Sequence, residues 1–386
     1  MATPARVLMI SGEYPPMEGG VGDFTHLLSE ALTRLGVRVC VLTSHRASGE
    51  ATNDALLVKP LVSSWRWYSL YRVFHRVVSE FQPDVINIQY QTAAYGMHPA
   101  VNFLPRLFSS YPFVVTFHDL RVPYLFPKAG RLRWWVNESL ARSSRAVIVT
   151  NEEDRCRLMR TRGIKKLSLV PIGSNIALQL PSGFTREEWR RRLGIPEQAL
   201  LLCYFGFLNE SKGGEELIDA LDHLQRKGYQ VHLLMIGGVV GSSDPTNKVY
   251  LERVKERIRN YRLEHRVHWT GYLSPEKVSA SFLISDICVL PYRDGASFRR
   301  GSLMAAITHG MPIISTWPRV RLPELTHGEN IWLVPPRDAR ALSHAITLLA
   351  QDVELRRRLG RGALELSRCF DWQKIAQRTL EVYRAL

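Results

Sequence analysis

The sequence predicts an α/β protein made of two doubly wound domains, each with a parallel sheet between layers of helices. Short apolar runs rich in β-branched residues alternate with helical patterns along most of the chain. The alternation of strand and helix patterns is interrupted once, near the middle of the chain, and then resumes. A chain of 386 residues also exceeds the size at which one hydrophobic core keeps growing, so two domains of similar size are expected.

The first half contains six predicted strands and one clear amphipathic helix. Phe24, Leu28 and Leu32 recur at helical spacing and predict an apolar stripe on a helix over residues 24–35. The strands are predicted at residues 6–11, 37–44, 85–89, 113–117, 146–150 and 167–171. Because strands and helices alternate, the sheet is expected to be parallel.

The middle of the chain predicts a domain boundary. Residues 171–196 contain Gly173, Pro181, Gly183 and a highly charged stretch, which interrupt the strand–helix rhythm. We therefore place one domain at residues 1–178 and a second at residues 179–371. The second has predicted strands at residues 200–205, 231–236, 267–270, 287–291, 312–316 and 331–334, with helices at 214–227, 248–261, 275–284, 300–308 and 339–349. Both domains are expected to be Rossmann-like and to face a common cleft.

The charge balance narrows the class of partner. The formal net charge is +15, divided almost equally between the two halves. The densest basic cluster, over residues 155–166, has few aromatic residues and matches no nucleic-acid-binding module, so nucleic acid is disfavoured as a partner. An anionic membrane surface or an acidic small molecule explains the charge better than nucleic acid does, and an ordinary solvated helix face is the main alternative for the cluster. No apolar run is long enough to span a bilayer and no secretory signal is recognisable, so we expect a cytoplasmic protein, with peripheral contact at the inner membrane face as one option.

The strongest functional signal lies in residues 289–316. An apolar strand, a loop that carries Arg293, Arg299 and Arg300, a helix and a second strand follow one another there. The first amides of a helix have no intrahelical acceptors and carry a partial positive charge. Guanidiniums add forked donors that suit phosphate oxygens. The arrangement is typical of an anion site, although two adjacent arginines alone are about as often a solvated loop face.

Two turns in the first half carry residue types suited to a ligand. Gly19, Gly20 and Gly22 allow the backbone to approach a ligand closely before the first helix. Their spacing is not that of a dinucleotide-binding loop and no acidic residue ends the next strand, so NAD is disfavoured. His118 and Asp119 follow a predicted strand, at the edge where α/β sheets bind ligands, and Asp119 is expected to orient the histidine.

A third turn with a residue suited to binding an anion contains a lysine. Lys212 lies between the strand at 200–205 and the next helix, and Gly213 and Gly214 follow it. A lysine at the start of a helix can pair with a phosphate group. Together with Arg299 and Arg300, it suits a diphosphate better than a single phosphate.

The ordered motifs resemble those of the GT-B glycosyltransferases, and within them the family-4-like group of retaining, nucleotide-sugar-dependent enzymes. The matching pieces run nearly end to end, at residues 18–22, 116–119, 170–176, 205–213, 307–316 and 322–338. The resemblance implies an acceptor-side first domain, a second domain that binds the nucleotide sugar, and a terminal helix over residues 372–386 that crosses back to the first domain. It also implies that His118 faces the transferred sugar, that Gly20 approaches the donor and that Lys212 holds its diphosphate.

Two departures from the family pattern keep other functions open. The family's Gly-Arg-Leu turn has Phe207 in place of its arginine, and its two glutamates, eight positions apart, are Ser297 and Ala305 here. A catalytically silent protein that binds sugar nucleotides or serves as a partner for an active homologue is therefore the main alternative. A sugar-nucleotide epimerase is a weaker one.

The same departures define the remaining candidate residues. Arg299, Arg300 and Ser302 are expected to strengthen the hold on the donor diphosphate. Candidates for contact with the donor sugar or nucleotide are Asp294, Ser297 and Glu324.

The reaction is expected to need no metal and no cofactor other than the nucleoside-diphosphate sugar as co-substrate. No Asp-x-Asp motif occurs, so a carboxylate-bound metal on the donor diphosphate has no obvious ligands. The acceptor is unidentified, either a saccharide or a lipid-linked molecule. Aromatic residues at 65–68 and 134–135 are candidates for membrane or acceptor contact, with core packing as the alternative.

Overall fold

The computed structural model describes residues 5–17, 19–48, 54–120, 130–238 and 245–386. Glu18, part of the predicted glycine-loop motif, lies outside the described residues. The chain divides into two compact units, one made of Met1–Asn175 with Phe370–Leu386 and one made of Ile176–Cys369. The predicted fold class is confirmed, since each unit is built on a parallel sheet with helical crossovers. The predicted cleft concerns the placement of the units relative to each other and stays a prediction.

The first unit has a seven-stranded sheet in the order β3-β2-β1-β4-β5-β6-β7. Its pairings are all parallel. Its strands are β1 (Arg6–Ser11), β2 (Arg38–Ser44), β3 (Leu56–Val62), β4 (Val85–Tyr90), β5 (Phe113–Phe117), β6 (Ala146–Val149) and β7 (Leu167–Leu169). Leu8 and Ile10 pack into a core on one side of the sheet, whereas Val7 and Met9 pack into a core on the other. Burial on both faces explains why these strands read as continuous apolar runs.

The helices of this unit cover the two faces of the sheet. They are α1 (Gly20–Arg34), α2 (Trp67–Phe81), α3 (Leu104–Leu107), α4 (Gly130–Ser143), α5 (Glu152–Leu158) and the terminal helix α13 (Trp372–Arg384), which follows the helices of the second unit. Phe24, Leu28 and Leu32 of α1 are buried, as the predicted apolar stripe requires. Among the helices that the structure describes, none has the length and apolar composition needed to cross a membrane.

The second unit has a six-stranded parallel sheet in the order β10-β9-β8-β11-β12-β13. Its strands are β8 (Leu200–Phe205), β9 (Val231–Ile236), β10 (Val267–Trp269), β11 (Ile287–Leu290), β12 (Ile313–Thr316) and β13 (Trp332–Val334). Its helices are α6 (Arg186–Arg192), α7 (Gly214–Arg226), α8 (Pro245–Asn260), α9 (Pro275–Leu283), α10 (Gly301–Thr308), α11 (Ala339–Gln351) and α12 (Val353–Ser367). Strand β8 lies at the centre and pairs with β9 and β11, so the turns after β8 and β11 are neighbours.

The terminal helix is built into the first unit by apolar and polar contacts. The Asp371 carboxylate accepts hydrogen bonds from the amides of Gln373 and Lys374 and so caps the helix. Trp372 donates its indole N–H to the Ser174 carbonyl at 2.8 Å, and its ring lies 5.3 Å from that of Phe24. Ile375, Ala376, Leu380 and Tyr383 belong to the core that α1 covers.

A buried polar chain joins this helix to the sheet. Asn87 Nδ2 donates to the Tyr383 hydroxyl at 2.6 Å, and Thr116 donates to Asn87 Oδ1 at 3.0 Å. All three side chains are almost completely buried. Burial raises the pKa of the Tyr383 hydroxyl above its ordinary value, so it stays neutral and serves as a partner for the amide.

We expect Tyr383→Phe to destabilise the first unit by about 1–3 kcal/mol, because it leaves the buried Asn87 amide without its acceptor. The check is urea unfolding followed by circular dichroism. The matched control is Tyr272→Phe, which removes a hydroxyl from a side chain that is 77% exposed and should leave the unfolding midpoint unchanged. Equal midpoints for the two variants would contradict the role given to this hydrogen bond.

Candidate functional site

The first group of candidate residues lies at the carboxyl edge of the sheet in the first unit. His118 follows the last residue of β5, and its amide donates to the Tyr90 carbonyl at the end of β4. Its Nε2 lies 2.9 Å from Gln89 Oε1. The side-chain amide of Gln89, on the neighbouring strand, therefore holds this nitrogen, and the expected orienting role of Asp119 stays a prediction. Asp119 is half-buried next to the histidine and has contacts of its own.

The environment of His118 fixes its protonation state. Burial lowers the pKa of the imidazole from 6.5 to about 3, and the ring lies edge-on to Phe24 with centroids 4.7 Å apart. The ring is therefore neutral at physiological pH. Because the Gln89 oxygen accepts a hydrogen bond, Nε2 carries the proton and Nδ1 has the lone pair. The histidine is suited to accept a hydrogen bond from a hydroxyl group, not to supply a positive charge.

The glycine loop leads directly into α1 at the same edge. Gly20 is the first residue of the helix and is exposed, with open space where a side chain would be. A Cβ at Gly19 would lie 2.0 Å from Glu13 Oε2, and a Cβ at Gly22 would lie 3.1 Å from the backbone of Tyr14. Close backbone contact therefore constrains Gly22, whereas the contact at Gly19 is with the flexible end of the Glu13 side chain. Gly20 leaves the first turn of α1 open to a ligand.

The second group lies at the carboxyl edge of the sheet in the second unit. After β8 the chain turns at Gly206, whose φ of +106° favours glycine. A Cβ at this position would lie 2.8 Å from Lys212 Nζ and 3.7 Å from Ser302 Cβ. The absence of a side chain at Gly206 therefore keeps a small space that Lys212 and the first turn of α10 share. No side chain caps that helix.

The two predicted arginines are fixed around one carboxylate. Arg299 Nη2 lies 3.1 Å from Asp294 Oδ2, and Arg300 Nη2 lies 2.5 Å from Asp294 Oδ1. The guanidinium of Arg300 also packs over the ring of Tyr292 at 4.9 Å and donates to the Ser211 hydroxyl. Asp294 was a candidate for contact with the donor, but it is 8% exposed and paired with both cations. We interpret it as the residue that positions them.

Lys212 is brought close enough to Arg300 for the two charges to interact. Burial and, secondarily, repulsion from Arg300 lower the pKa of the lysine from 10.5 to about 7. The cationic form is therefore destabilised in the folded protein. An anion between Lys212 and Arg300 would compensate both positive charges and so favour the cationic form of the lysine.

The remaining predicted residues have different environments. Ser302 shares a 2.7 Å hydrogen bond with the Tyr292 hydroxyl and lies in the first turn of α10. Ser297 accepts from the Arg300 amide through its carbonyl and is half-buried in the preceding loop. Glu324 is exposed, in the loop before β13. Arg293 is bound by three carboxylates, those of Glu210, Glu215 and Glu216, and so belongs to an ion-pair network and not to an anion site.

Sequence reasoning missed Gln89, Tyr292 and Gly206. A signal existed for Gln89, since it is a polar residue at the end of a buried strand next to the strand that delivers His118. Tyr292 follows β11 and supports both Arg300 and Ser302, but a tyrosine after a strand gives no such indication on its own. Gly206 acts through the space it leaves, which a sequence does not show.

A group of three or more His, Cys, Asp or Glu side chains arranged to hold a metal does not occur among the residues that the structure describes. The predicted independence from metal stays a prediction, because it concerns the reaction.

Comparisons with known proteins assign both halves of the chain. Residues 185–365 match the family model described as glycosyl transferases group 1, and residues 19–173 match the glycosyl transferase 4-like domain. The glycogen synthase of Mycobacterium tuberculosis is 25% identical over 98% of this chain and 94% of its own length. The D-inositol 3-phosphate glycosyltransferase of Xylanimonas cellulosilytica is 27% identical over 98% of this chain and 96% of its own length.

Solved structures share the fold over the whole chain. Sucrose-phosphate synthase from Thermosynechococcus elongatus has a TM-score of 0.79 with 21% identity and covers 98% of each chain. Anabaena HepE, solved in complex with UDP and glucose, has a TM-score of 0.78 with 19% identity and covers 98% of this chain and 99% of its own.

Proposed function

The chain is a glycosyltransferase of the GT-B class that takes its sugar from a nucleotide-sugar donor, and we propose that Lys212, Arg300 and Ser302 hold the donor diphosphate. We further propose transfer with retention of anomeric configuration to a saccharide or a lipid-linked acceptor. The observation that carries the site assignment is the space at Gly206, bordered by the lysine Nζ and by the uncapped start of α10.

The charges of the second group complement a diphosphate. Asp294 compensates one of the two guanidiniums that it binds, and Lys212 adds a further cation when protonated. Tyr292 and Ser211 hold Arg300 without adding charge. Fixed cations of this kind stabilise the negative charge that develops on a leaving diphosphate, and they need no reorganisation during the reaction. Metal-independent transfer is the mode of catalysis that this arrangement favours.

We expect nucleoside diphosphate binding to depend on Lys212 and Arg300. Among UDP, GDP and ADP, the one that binds the wild type should bind Lys212→Ala or Arg300→Ala about ten-fold more weakly or worse, since each variant loses a charge-assisted contact. Isothermal titration calorimetry measures the affinities. The matched control is Arg259→Ala, an exposed arginine on α8. Equal affinities in all four proteins, or a wild type that binds none of the nucleotides, would remove the assignment.

The same titrations have an expected pH dependence. Below pH 7 Lys212 is already charged, so binding takes up no proton there. Above pH 7 the free lysine is neutral and the diphosphate must bind together with a proton. The affinity should therefore fall by up to about ten-fold per pH unit, and Lys212→Ala should abolish this part of the dependence.

In the first unit, we propose that His118 contacts the transferred sugar and that Gly20 lies against the donor. Asp119, next to His118 in the chain, is proposed to support the histidine. The neutral imidazole with its Nδ1 lone pair accepts a hydrogen bond from a sugar hydroxyl. Gln89 fixes the tautomer, and the ring contact with Phe24 fixes the plane. Ser297 and Glu324 stay weaker candidates for contact with the sugar or nucleotide.

We expect His118→Ala to slow release of nucleoside diphosphate from the sugar nucleotide by about ten-fold or more, while affinity for the free nucleotide stays unchanged. The reason is that the imidazole contact is proposed for the sugar and not for the diphosphate. UDP-glucose, the ligand of one HepE structure, is a suitable first donor. His75→Ala, at an exposed position on α2, is the control. Unchanged turnover in His118→Ala would contradict the assignment.

We propose that the protein is cytoplasmic and contacts an anionic membrane peripherally, which would bring it to a lipid-linked acceptor. The supporting observation is an aromatic surface on the first unit. We define this surface by Trp67, Tyr68, Phe103, Leu107 and Trp135. Trp67 and Trp135 are 41% and 51% exposed, and their rings lie 5.4 and 6.1 Å from Phe103 between them. Exposed tryptophan and tyrosine suit the headgroup region of a bilayer.

The charges around the aromatic surface fit anionic lipids. Arg66, Arg72 and Arg106 are exposed at its margin. The one carboxylate on α2, Glu80, pairs with Lys59 and Arg76, so it does not compensate these arginines. A bilayer with negative headgroups supplies the missing charge.

We expect Trp67→Ala combined with Trp135→Ala to reduce sedimentation with vesicles of equal parts phosphatidylcholine and phosphatidylglycerol by about ten-fold, since two interfacial anchors are lost. Trp317→Ala, which removes a 48% exposed tryptophan from the second unit, should sediment like the wild type. If the double variant also sediments like the wild type, the aromatic surface is not the membrane contact.

A further inference from the structure

Two adjoining cavities lie at the opposite edge of the sheet in the second unit. One, of about 740 Å³, lies beside α6 and the start of β8, and the other, of about 700 Å³, lies between α12 and the start of β12. Arg186, Asp286 and Arg356 line both. Asp286 directly precedes β11, whereas Tyr292 and Arg300 follow that strand, so the cavities are separate from the residues assigned to the donor.

A single carboxylate organises the cations at this edge. Asp286 Oδ1 lies 2.5 Å from Arg186 Nη2, and Asp286 Oδ2 lies 2.7 Å from Arg190 Nη2. The Leu201 amide also donates to Asp286 Oδ2 at 2.8 Å. One negative charge is thus shared by two guanidiniums and one amide, which leaves the local balance positive.

Backbone carbonyls hold the arginines in place without neutralising them. Arg186 Nη1 donates to the Leu283 carbonyl at 2.7 Å, and Arg356 Nη1 donates to the carbonyls of Leu349 and Ala350 at the end of α11. A carbonyl fixes the orientation of a guanidinium but brings no formal charge. The cations are therefore preorganised, which lowers the entropic cost of binding an anion.

The second cavity has the larger excess of positive charge. Four arginines line it, namely Arg186, Arg356, Arg357 and Arg361, and Asp286 is the one carboxylate in its lining. Arg357 pairs with Glu354 on its own helix. In the first cavity, two exposed carboxylates, Glu187 and Glu197, offset part of the charge.

The second cavity also has an apolar side. Gly310, Pro312 and Gly360 also line it, and a Cβ at Gly360 would lie 2.7 Å from the Gly310 carbonyl oxygen. Val353 and Leu364 line it as well and are 45% and 48% exposed. A ligand that satisfies both sides has an anionic group and an apolar part. The volume is in the range of small-molecule sites.

We propose that this groove, defined by Arg186, Arg356, Arg361, Asp286 and Leu364, binds the phosphate group of an organic molecule. Guanidiniums held by carbonyls present forked donors to phosphate oxygens, and the apolar wall takes the organic part. The groove is a second anion site, independent of the proposed donor site on the other edge of the same sheet. Its ligand is either a free organic phosphate or the headgroup of a lipid.

The test uses the full chain with the donor residues removed. In Lys212→Ala/Arg300→Ala protein, equilibrium dialysis with inorganic pyrophosphate should still show one site per chain. Adding Arg361→Glu, or separately Leu364→Glu, should weaken that site about ten-fold, since both are exposed positions that place a carboxylate at the groove. Arg259→Glu is the matched control and should have no effect. No remaining site, or equal binding by the Arg361→Glu and Arg259→Glu proteins, would overturn the proposal.

A second arm identifies the source of the phosphate. Sedimentation with phosphatidic acid vesicles is compared for Arg361→Glu and for Trp67→Ala/Trp135→Ala. If the Arg361→Glu protein no longer sediments with the vesicles, the groove binds a lipid headgroup. If only the Trp67→Ala/Trp135→Ala protein fails to sediment, and its pyrophosphate binding is intact, the groove binds a free phosphate. The donor assignment is tested by nucleotide binding to the Lys212 and Arg300 variants, so either proposal can fail without the other.

Discussion

All strand pairings in the two sheets are parallel, and this constraint decides where polar side chains can act together. Parallel strands bring their carboxyl ends to one edge, so residues far apart in sequence meet there without a dedicated interaction. Gln89 and His118 meet because β4 and β5 are neighbours, and Lys212 and Arg300 meet because β8 and β11 are neighbours. Asp286 directly precedes β11 and so lies at the other edge of the same sheet.

At each of the two anion sites proposed for the second unit, one carboxylate binds two arginines. Asp294 binds Arg299 and Arg300, and Asp286 binds Arg186 and Arg190. A carboxylate shared in this way fixes the geometry but leaves net positive charge, and the unbound protein carries the electrostatic cost. Burial and, secondarily, repulsion from Arg300 lower the pKa of Lys212, so part of this cost falls on the cationic form of the lysine. An anion bound at either proposed site would compensate this excess positive charge.

The sequence predicted elements well where burial on both faces makes strands continuous and apolar. The bounds of β1, β5, β8 and β9 match the prediction to the residue. Strand β3 was missed because Lys59 and Pro60 interrupt its apolar pattern, which an edge strand tolerates. In the site, the positions of His118, Lys212 and Arg300 after strands were visible in the sequence. Gln89 was marked only by its polar side chain near the end of a buried strand, and Tyr292 not at all, because their contacts with His118 and Arg300 are set by tertiary structure.

The terminal helix belongs to the first unit, and this has a consequence for biosynthesis. Helix α13 completes the core of the first unit, although the whole second unit precedes it in the chain. A ribosome therefore releases the last pieces of the amino-terminal core, Ile375 to Tyr383, only after nearly all other residues have been made. Until then Asn87 and the face of α1 around Phe24 lack their final cover. During synthesis of the second unit, the first unit therefore stays incompletely folded, and chaperone binding and proteolysis compete with the completion of its folding.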